Sequence, residues 1–378
     1  MKYPIGIQDF EDLQRNGYAY VDKTNFVYKL ADEGKYYFLS RPRRFGKSLF
    51  LSTLEAYFQG KKELFKGLAI YDLETEWKKY PIFHIDLNTA NFREKDSLYT
   101  VLNDYLTSWE DKYGARESEA TLALRFKGVI ARAAEKEGCG VVILIDEYDK
   151  PILQTLRDPE LQAEHRAQLK AFYSVLKTQD RYIKFAFLTG VTKFGKVSVF
   201  SDLNNLTDIS MDHRYISICG MTEKELLTNF KEGINELASA NEDNETETID
   251  KLRMRYSGYH FEENSEEIYN PFSVLNTLAN SRYDDYWFKA DTHTFLIDIL
   301  KKHDYCITDL NKTQVKANMM NNVDFNPIPV IYQSGYLTIK SYDERFKNYQ
   351  LGIPNKEVEE GILNTLLPHG CKTAEMDC

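Results

Sequence analysis

Two short stretches hold residue types that can do chemistry together. Gly46-Lys47-Ser48 lies within the run FLSRPRRFGKSLFL (Phe38 to Leu51), and Asp146-Glu147 ends the apolar run Val141-Val142-Ile143-Leu144-Ile145. A lysine at the start of a helix can reach phosphate oxygens, while the loop and helix N-terminal amides point at the same anion. The Ser48 hydroxyl beside it can ligate a divalent cation. An Asp-Glu pair at the end of a buried strand complements this. Asp146 would hold the cation through water, and Glu147 would orient and deprotonate an attacking water, which a general base must approach within about 3 Å. The chemistry is that of a P-loop and a Walker B strand gripping ATP and Mg²⁺.

The loop departs from the usual G-x-x-x-x-G-K-[ST] pattern, because Arg41 stands at the first glycine position. Only Gly46 then supplies a positive φ without strain. The nucleotide-binding set is Arg41, Pro42, Arg43, Arg44, Phe45, Gly46, Lys47, Ser48 and Leu49, with Ser48 and Asp146 on the metal. Arg41, Arg43 and Arg44 flank the phosphates, and one of them could stabilise transition-state charge; an ion pair with an acidic neighbour would explain the same residues. Catalysis falls to Glu147 and Lys47, with Thr189 as a polar sensor of the γ-phosphate. Thr192 and Lys193 could serve in its place, and a plain turn accounts for the same residues. Arg214 is a further finger candidate, in cis or in trans. No NKxD-type guanine reader is evident, which favours ATP over GTP.

Elements of two periodicities must position these residues. Tyr36 to Leu39, Pro81 to Leu87, Val141 to Ile145 and Tyr182 to Leu188 are short apolar runs that read as strands. Pro81 to Leu87 is expected between the P-loop strand and the Walker B strand. Asp86 at its end reads as a solvated strand end. Helical spacing marks Ile7 to Arg15, Asn25 to Glu33 (capped by Asp22 or Thr24), Leu49 to Phe58, Leu98 to Tyr113, Ser118 to Glu137 and Glu160 to Gln179. This alternation predicts an α/β doubly wound parallel sheet with helices on both faces, a P-loop NTPase of the ASCE type. Residues 1–35 read as packing on the core, with a cover for the adenine side of the nucleotide as the functional alternative. From Thr222 the pattern becomes helical and acidic, with an exposed loop over Asn241 to Glu247. Val330 to Ile353 reads as a helix end and a hairpin. The expected division is a core over 1–220, a helical and winged-helix-like lid over 221–367 and a tail over 368–378.

Composition narrows the class. With 378 residues, 43% hydrophobic, 28% charged, 26 tyrosines and 22 phenylalanines, the chain can bury a large aromatic core. A net charge of −10 argues against broad nonspecific nucleic-acid binding. The five cysteines and seven histidines are scattered without metal spacing, which suits reduced thiols and a cytoplasmic setting. No run of some 18 apolar residues offers a membrane span, and MKYPIGIQDFEDLQ lacks the apolar segment of a signal peptide.

YVDKT (Tyr20 to Thr24), SRPRRFGKSL (Ser40 to Leu49), IDEYDKP (Ile145 to Pro151), LTGVTKF (Leu188 to Phe194), SGYHF (Ser257 to Phe261) and YNPFSVL (Tyr269 to Leu275) together resemble the AAA-ATPase-like family of bacterial P-loop proteins. The resemblance spans roughly Tyr3 to Leu367. It implies an ASCE-type ATPase core, with arginine at the first-glycine position as a normal family feature. It also implies a C-terminal PD-(D/E)xK nuclease domain in longer members. No such stretch is found here, and the expectation is a truncated product or a lost nuclease.

The expected activity is Mg²⁺-dependent ATP binding and hydrolysis coupled to movement of the C-terminal half. The competing reading is a nucleotide-dependent regulatory switch or partner-binding module, for which the acidic stretch 223–250 suits a protein partner. A DNA-associated role through Lys340, Arg345 and Lys347 has fewer charges behind it. A small-molecule kinase would also use a P-loop with an acidic base, but no acceptor pocket can be read from the sequence.

Overall fold

The computed structural model describes residues 1–193, 205–290, 296, 310, 313–320 and 327–366. Readings that involve Phe194, Cys306 and the tail 368–378 lie outside the described residues.

Five runs assemble into one parallel sheet: β1 (Tyr36–Ser40), β2 (Ile82–Asp86), β3 (Val141–Asp146), β4 (Ile183–Gly190) and β5 (Thr207–Asp208), in the order β2-β3-β4-β1-β5. The strand between β1 and β3 is therefore β4, not the Pro81 to Leu87 run expected there. The burial patterns explain the placement. Every residue of β4 is buried except Lys184, so it needs neighbours and helices on all sides. In β2 only Phe83 and Ile85 are buried, while Ile82, His84 and Asp86 are half-exposed. Such alternation suits an edge strand. The register aligns the carboxyl ends: Asp86 pairs with Asp146, Ile145 with Leu188, and Ser40 with Gly190. Every loop that could carry chemistry thus leaves the same end of the sheet.

Helices cover both faces. Ser97–Tyr113, Leu122–Glu137 and Pro159–Thr178 pack on one face around Phe83, Ile143 and Phe172, with the Phe126 and Phe172 rings stacked 4.3 Å apart. Lys47–Phe58 and Thr24–Glu33 cover the other, around Leu51, Leu54, Leu144 and Phe185. That second core continues without a break into the C-terminal half through Phe45, Tyr259, Phe261, Trp287 and Leu337.

Helix starts follow their caps. The first helix begins at Phe10, later than Ile7, because the Asp9 carboxylate accepts from the Asp12 amide. The second helix starts at Thr24 with Lys23 at its N-cap and no side-chain cap there, correcting the expected Asp22 or Thr24 cap; Asp22 instead accepts from the Thr24 amide and hydroxyl and from the Ala69 amide. The acidic stretch from Thr222 is three helices, Glu223–Asn229, Lys231–Ala240 and Glu245–Tyr256. The loop expected over Asn241 to Glu247 is shorter than that, since Asn244 and Glu247 form a capping box that starts the third helix at Glu245. The hairpin is present as Thr338–Asp343 and Asn348–Gly352; Gln314–Lys316 adds a third antiparallel strand that no sequence pattern marks. Among the described residues no helix is long and apolar enough to cross a membrane.

One carboxylate organises the C-terminal half. Glu357 is fully buried and accepts from the Ser273 hydroxyl (2.8 Å) and the Trp287 amide (2.9 Å), so three segments meet on it. Burial pushes its carboxyl up to about 8. A carboxyl raised on folding favours the folded state most below its unfolded value, and that advantage is lost as pH rises through the folded value. The wild type is therefore expected to lose stability relative to Glu357→Gln as pH rises from about 4.3 toward 8, because the amide imitates the protonated acid. Parallel denaturant titrations of the two proteins at pH 5 and pH 8 check this; an unchanged difference contradicts it.

Candidate functional site

Lys47 is the first residue of the helix Lys47–Phe58, and Gly46 precedes it at φ 94°. An L side chain there would be strained, so glycine lets the loop turn directly into the helix. The Lys47 side chain is 4% exposed as a residue, and its Nζ lies 3.4 Å from Glu147 Oε1 and 3.4 Å from the Pro42 carbonyl oxygen. The Asp146 carboxylate accepts from the Glu147 amide at 3.0 Å and lies beside the Ser48 side chain. Burial raises the Asp146 carboxyl to about 6, with the Glu147 charge adding to the effect and Lys47 and Ser48 opposing it. Glu147 has φ 50° and Arg44 φ 67°. Left-handed backbone at such residues costs on the order of 1–3 kcal/mol and clusters at working sites. The sequence-derived set Lys47, Ser48, Asp146 and Glu147 is thus brought together at the carboxyl end of the sheet.

Of these, Lys47, Ser48 and Glu147 line a cleft of about 550 Å³. Arg43, Arg44 and the Gly46 to Leu49 turn form its floor. Pro4 to Gln8 close one side, and Phe272, Trp287 and Tyr336 reach in from the C-terminal half. Beside it, sharing Gly46, Leu49 and Pro271, is a smaller, mainly apolar pocket of about 90 Å³ lined by Tyr20, Val21, Phe50 and Met221.

The remaining expected site residues are elsewhere. Arg41 does not flank the cleft. It is 1% exposed, its guanidinium donates to the carbonyls of Ser40, Ser210, Tyr215 and Ile216, and it lies 4.0 Å over the Phe261 ring. Burial lowers its pKa to about 10. Arg41 ties the loop's start to the segment after β5, because buried carbonyls need donors as much as phosphates do. Phe45 is buried against Tyr259 and Phe261, with ring centroids 4.9 and 5.8 Å apart, and its carbonyl accepts from the Gly220 amide. Pro42 is buried too, and contributes its carbonyl to Lys47. The sensor candidates are all engaged away from the cleft: the Thr189 hydroxyl donates to the Leu39 carbonyl, Thr192 to Asp149, and Lys193 pairs with Asp208. Arg214 is held by Asp212. Asp86 caps its own turn through the Asn88 amide.

Four residues without a role in the sequence reading belong to this region. Asp149 is fully buried and accepts from the amides of Val191 (3.1 Å) and Thr192 (2.6 Å) and from the Thr192 hydroxyl (2.6 Å). It clasps the end of β4 to the end of β3. Gly190 allows this, since a Cβ there would sit 2.4 Å from Asp149 Oδ1. Trp287 donates from Nε1 to the Arg43 carbonyl at 3.2 Å. Arg93 and Lys150 line the cleft beyond Glu147. IDEYDKP contains Asp149 and Lys150, but nothing in spacing alone separates a buried clasp from a solvated acid.

A five-stranded parallel sheet flanked by helices, with a GKS turn and an Asp-Glu strand end meeting at its carboxyl edge, is an α/β P-loop NTPase-like fold with a helical C-terminal region. Residues 4–200 match the family described as Predicted AAA-ATPase, and the chain belongs to that family. It is similar to a protein of Azotobacter chroococcum mcd 1 described as "Uncharacterized protein in vnfD 5'region", at 38% identity over 372 residues, 97% of this chain and 70% of that one.

Asp149→Asn puts an amide donor against amide and hydroxyl donors. Leaving buried groups unsatisfied should destabilise the fold by about 2–3 kcal/mol. Denaturant unfolding of the variant checks this, and wild-type stability contradicts the clasp.

Proposed function

We propose that the chain binds ATP with Mg²⁺ in the 550 Å³ cleft and hydrolyses it, with nucleotide state felt by the C-terminal half. The observation that carries this reading is the placement of Lys47 3.4 Å from Glu147, with Ser48 near enough to Asp146 to hold its carboxyl down against burial. Lys47 and Ser48 at the helix start and Asp146 and Glu147 at the strand end would then serve as phosphate binder, metal ligands and base.

The residues fit a magnesium ion. Ser48 and Asp146 are hard oxygen donors side by side, and Mg²⁺ is commonly held by one or two protein oxygens plus substrate phosphates. The raised Asp146 carboxyl fits as well, since a buried acid short of counter-charge is one a cation would keep ionised. When bound, the ion would supply charge neutralisation at the phosphate oxygens. Lys47 would leave Glu147 for the phosphates, which frees that carboxylate to take a proton from water. Gly46 and the following amides would hold the phosphates at the helix N-terminus. The apolar pocket beside Gly46 suits a base, and its wall includes Pro4, Tyr20 and Val21 of the N-terminal segment.

Coupling would run through two contacts. Phe45 is inserted between Tyr259 and Phe261, and Trp287 holds the Arg43 carbonyl, so a change in loop position must move residues of the expected 221–367 lid. We take 1–220 as the nucleotide-binding core on the same grounds, with 368–378 a tail.

The regulatory-switch reading has one observation in its favour. In this arrangement Glu147 is neutralised by Lys47, which suits tight binding with slow turnover. Equilibrium ATP binding and phosphate release by wild type, Lys47→Ala and Glu147→Gln, each with and without Mg²⁺, separate the two. Hydrolysis predicts that Lys47→Ala loses binding. It also predicts that Glu147→Gln binds with turnover reduced by about 10²–10⁴-fold. Turnover in Glu147→Gln equal to wild type overturns the assigned base; tight binding without turnover in wild type selects the switch.

A further inference from the structure

We propose that Arg93 supplies, from within the same chain, the guanidinium that neutralises charge on the γ-phosphate as it transfers. This rests on the hydrolase reading above. Arg93 lies on the connection between β2 and the helix Ser97–Tyr113. The sheet order puts β2 next to β3, so this connection reaches the cleft from the Glu147 side, while Lys47 reaches it from β1. Both cations and the base line one cavity.

The connection is held at several points by the segment that follows the Walker B strand. Lys150 Nζ donates to the Asn88 carbonyl (2.6 Å) and side chain (2.8 Å). Gln154 accepts from the Phe92 amide at 2.8 Å, and His165 Nε2 lies 2.9 Å from the Phe92 carbonyl oxygen. Phe92 itself is fully buried, edge-on to the His165 ring. Asp86 accepts from the Asn88 amide at 2.7 Å. Gln154, His165 and the buried Phe92 ring thus fix the residue immediately before Arg93, while Lys150 and Asp86 hold Asn88 earlier in the connection. Its own side chain is exposed and, among the described residues, makes no ion pair or hydrogen bond. Arg41 and Arg214, by contrast, are held by backbone carbonyls and by Asp212. A guanidinium carried on a fixed backbone at the lining of a phosphate cleft is suited to transition-state stabilisation.

In the proposed step the water oxygen attacks the γ-phosphorus and gives its proton to Glu147. The bond from phosphorus to the β,γ-bridging oxygen breaks, and its electron pair leaves on ADP. Arg93 donates to two oxygens of the transferring phosphoryl group, a bidentate geometry that lysine cannot reproduce.

The test compares full-length wild type, Arg93→Ala and Arg93→Lys for ADP and ATP affinity, ATP turnover, and rescue by added guanidinium ion. Expected are unchanged nucleotide affinity, turnover lower by about 10³-fold or more in both variants, and partial recovery of Arg93→Ala by guanidinium. Wild-type turnover in Arg93→Ala overturns the assignment. So does recovery on mixing Arg93→Ala with Lys47→Ala chains, since the guanidinium would then come from a neighbour. A wild type that binds ATP without turnover defeats the hydrolase reading itself, and the Arg93 role with it.

Discussion

Everything at the working end of this molecule depends on placing opposite charges where water is scarce. Lys47 and Asp146 are each 4% exposed and Asp149 is fully buried, all at the carboxyl edge of one sheet. An isolated charge in such a place costs far more than an ion pair returns, so each must be matched by donors or acceptors. The matching is local and specific. Asp149 takes two amides and a hydroxyl, Asp146 takes the Glu147 amide, and Lys47 takes Glu147 and the Pro42 carbonyl. The Asp146 and Asp149 carboxyls are nonetheless both raised to about 6, by burial first and the Glu147 charge second. A cation near Asp146 would favour its charged form.

The same edge is held from outside by aromatic packing. Phe45 sits between the loop's charged residues and buries its ring against Tyr259 and Phe261. Truncating a buried phenylalanine costs about 3–5 kcal/mol, whereas the hydrogen bond from Gly220 to its carbonyl contributes about 1 kcal/mol. The ring is therefore the anchor and the hydrogen bond the alignment. Phe261 also receives the Arg41 guanidinium on its face, so SGYHF is the socket for RPRRF. YNPFSVL has a matching purpose: Asn270 caps its helix, Phe272 lies 5.0 Å beneath Arg44, and Ser273 holds Glu357.

Much of this is legible in the chain because local rules act on it directly. Continuous apolar runs mark β1, β3 and β4, and GKS with DE marks the two halves of the site. The sheet order is not legible in the same way, because it depends on neighbours: β2 reads as any short strand until its alternating burial is seen, and only that pattern assigns it to the edge. Arg41 is misread for a related reason. An arginine in a phosphate loop and an arginine binding carbonyls have the same sequence signature, and only burial distinguishes them. Thr189, Thr192 and Lys193 stand out by position, yet their partners come from β1, from Asp149 and from Asp208, which no spacing rule connects. Arg93 is unmarked because its surroundings, NFREKD, look like any solvated turn.

The most direct measurement is a structure of the Glu147→Gln variant with Mg²⁺ and ATP at saturation. The triphosphate should lie along Gly46 to Ser48 with its γ-phosphate on Lys47, the ion between Ser48 and Asp146, and the base in the pocket beside Pro4 and Tyr20. A triphosphate remote from Lys47, or a cleft that stays empty under those conditions, would contradict this placement.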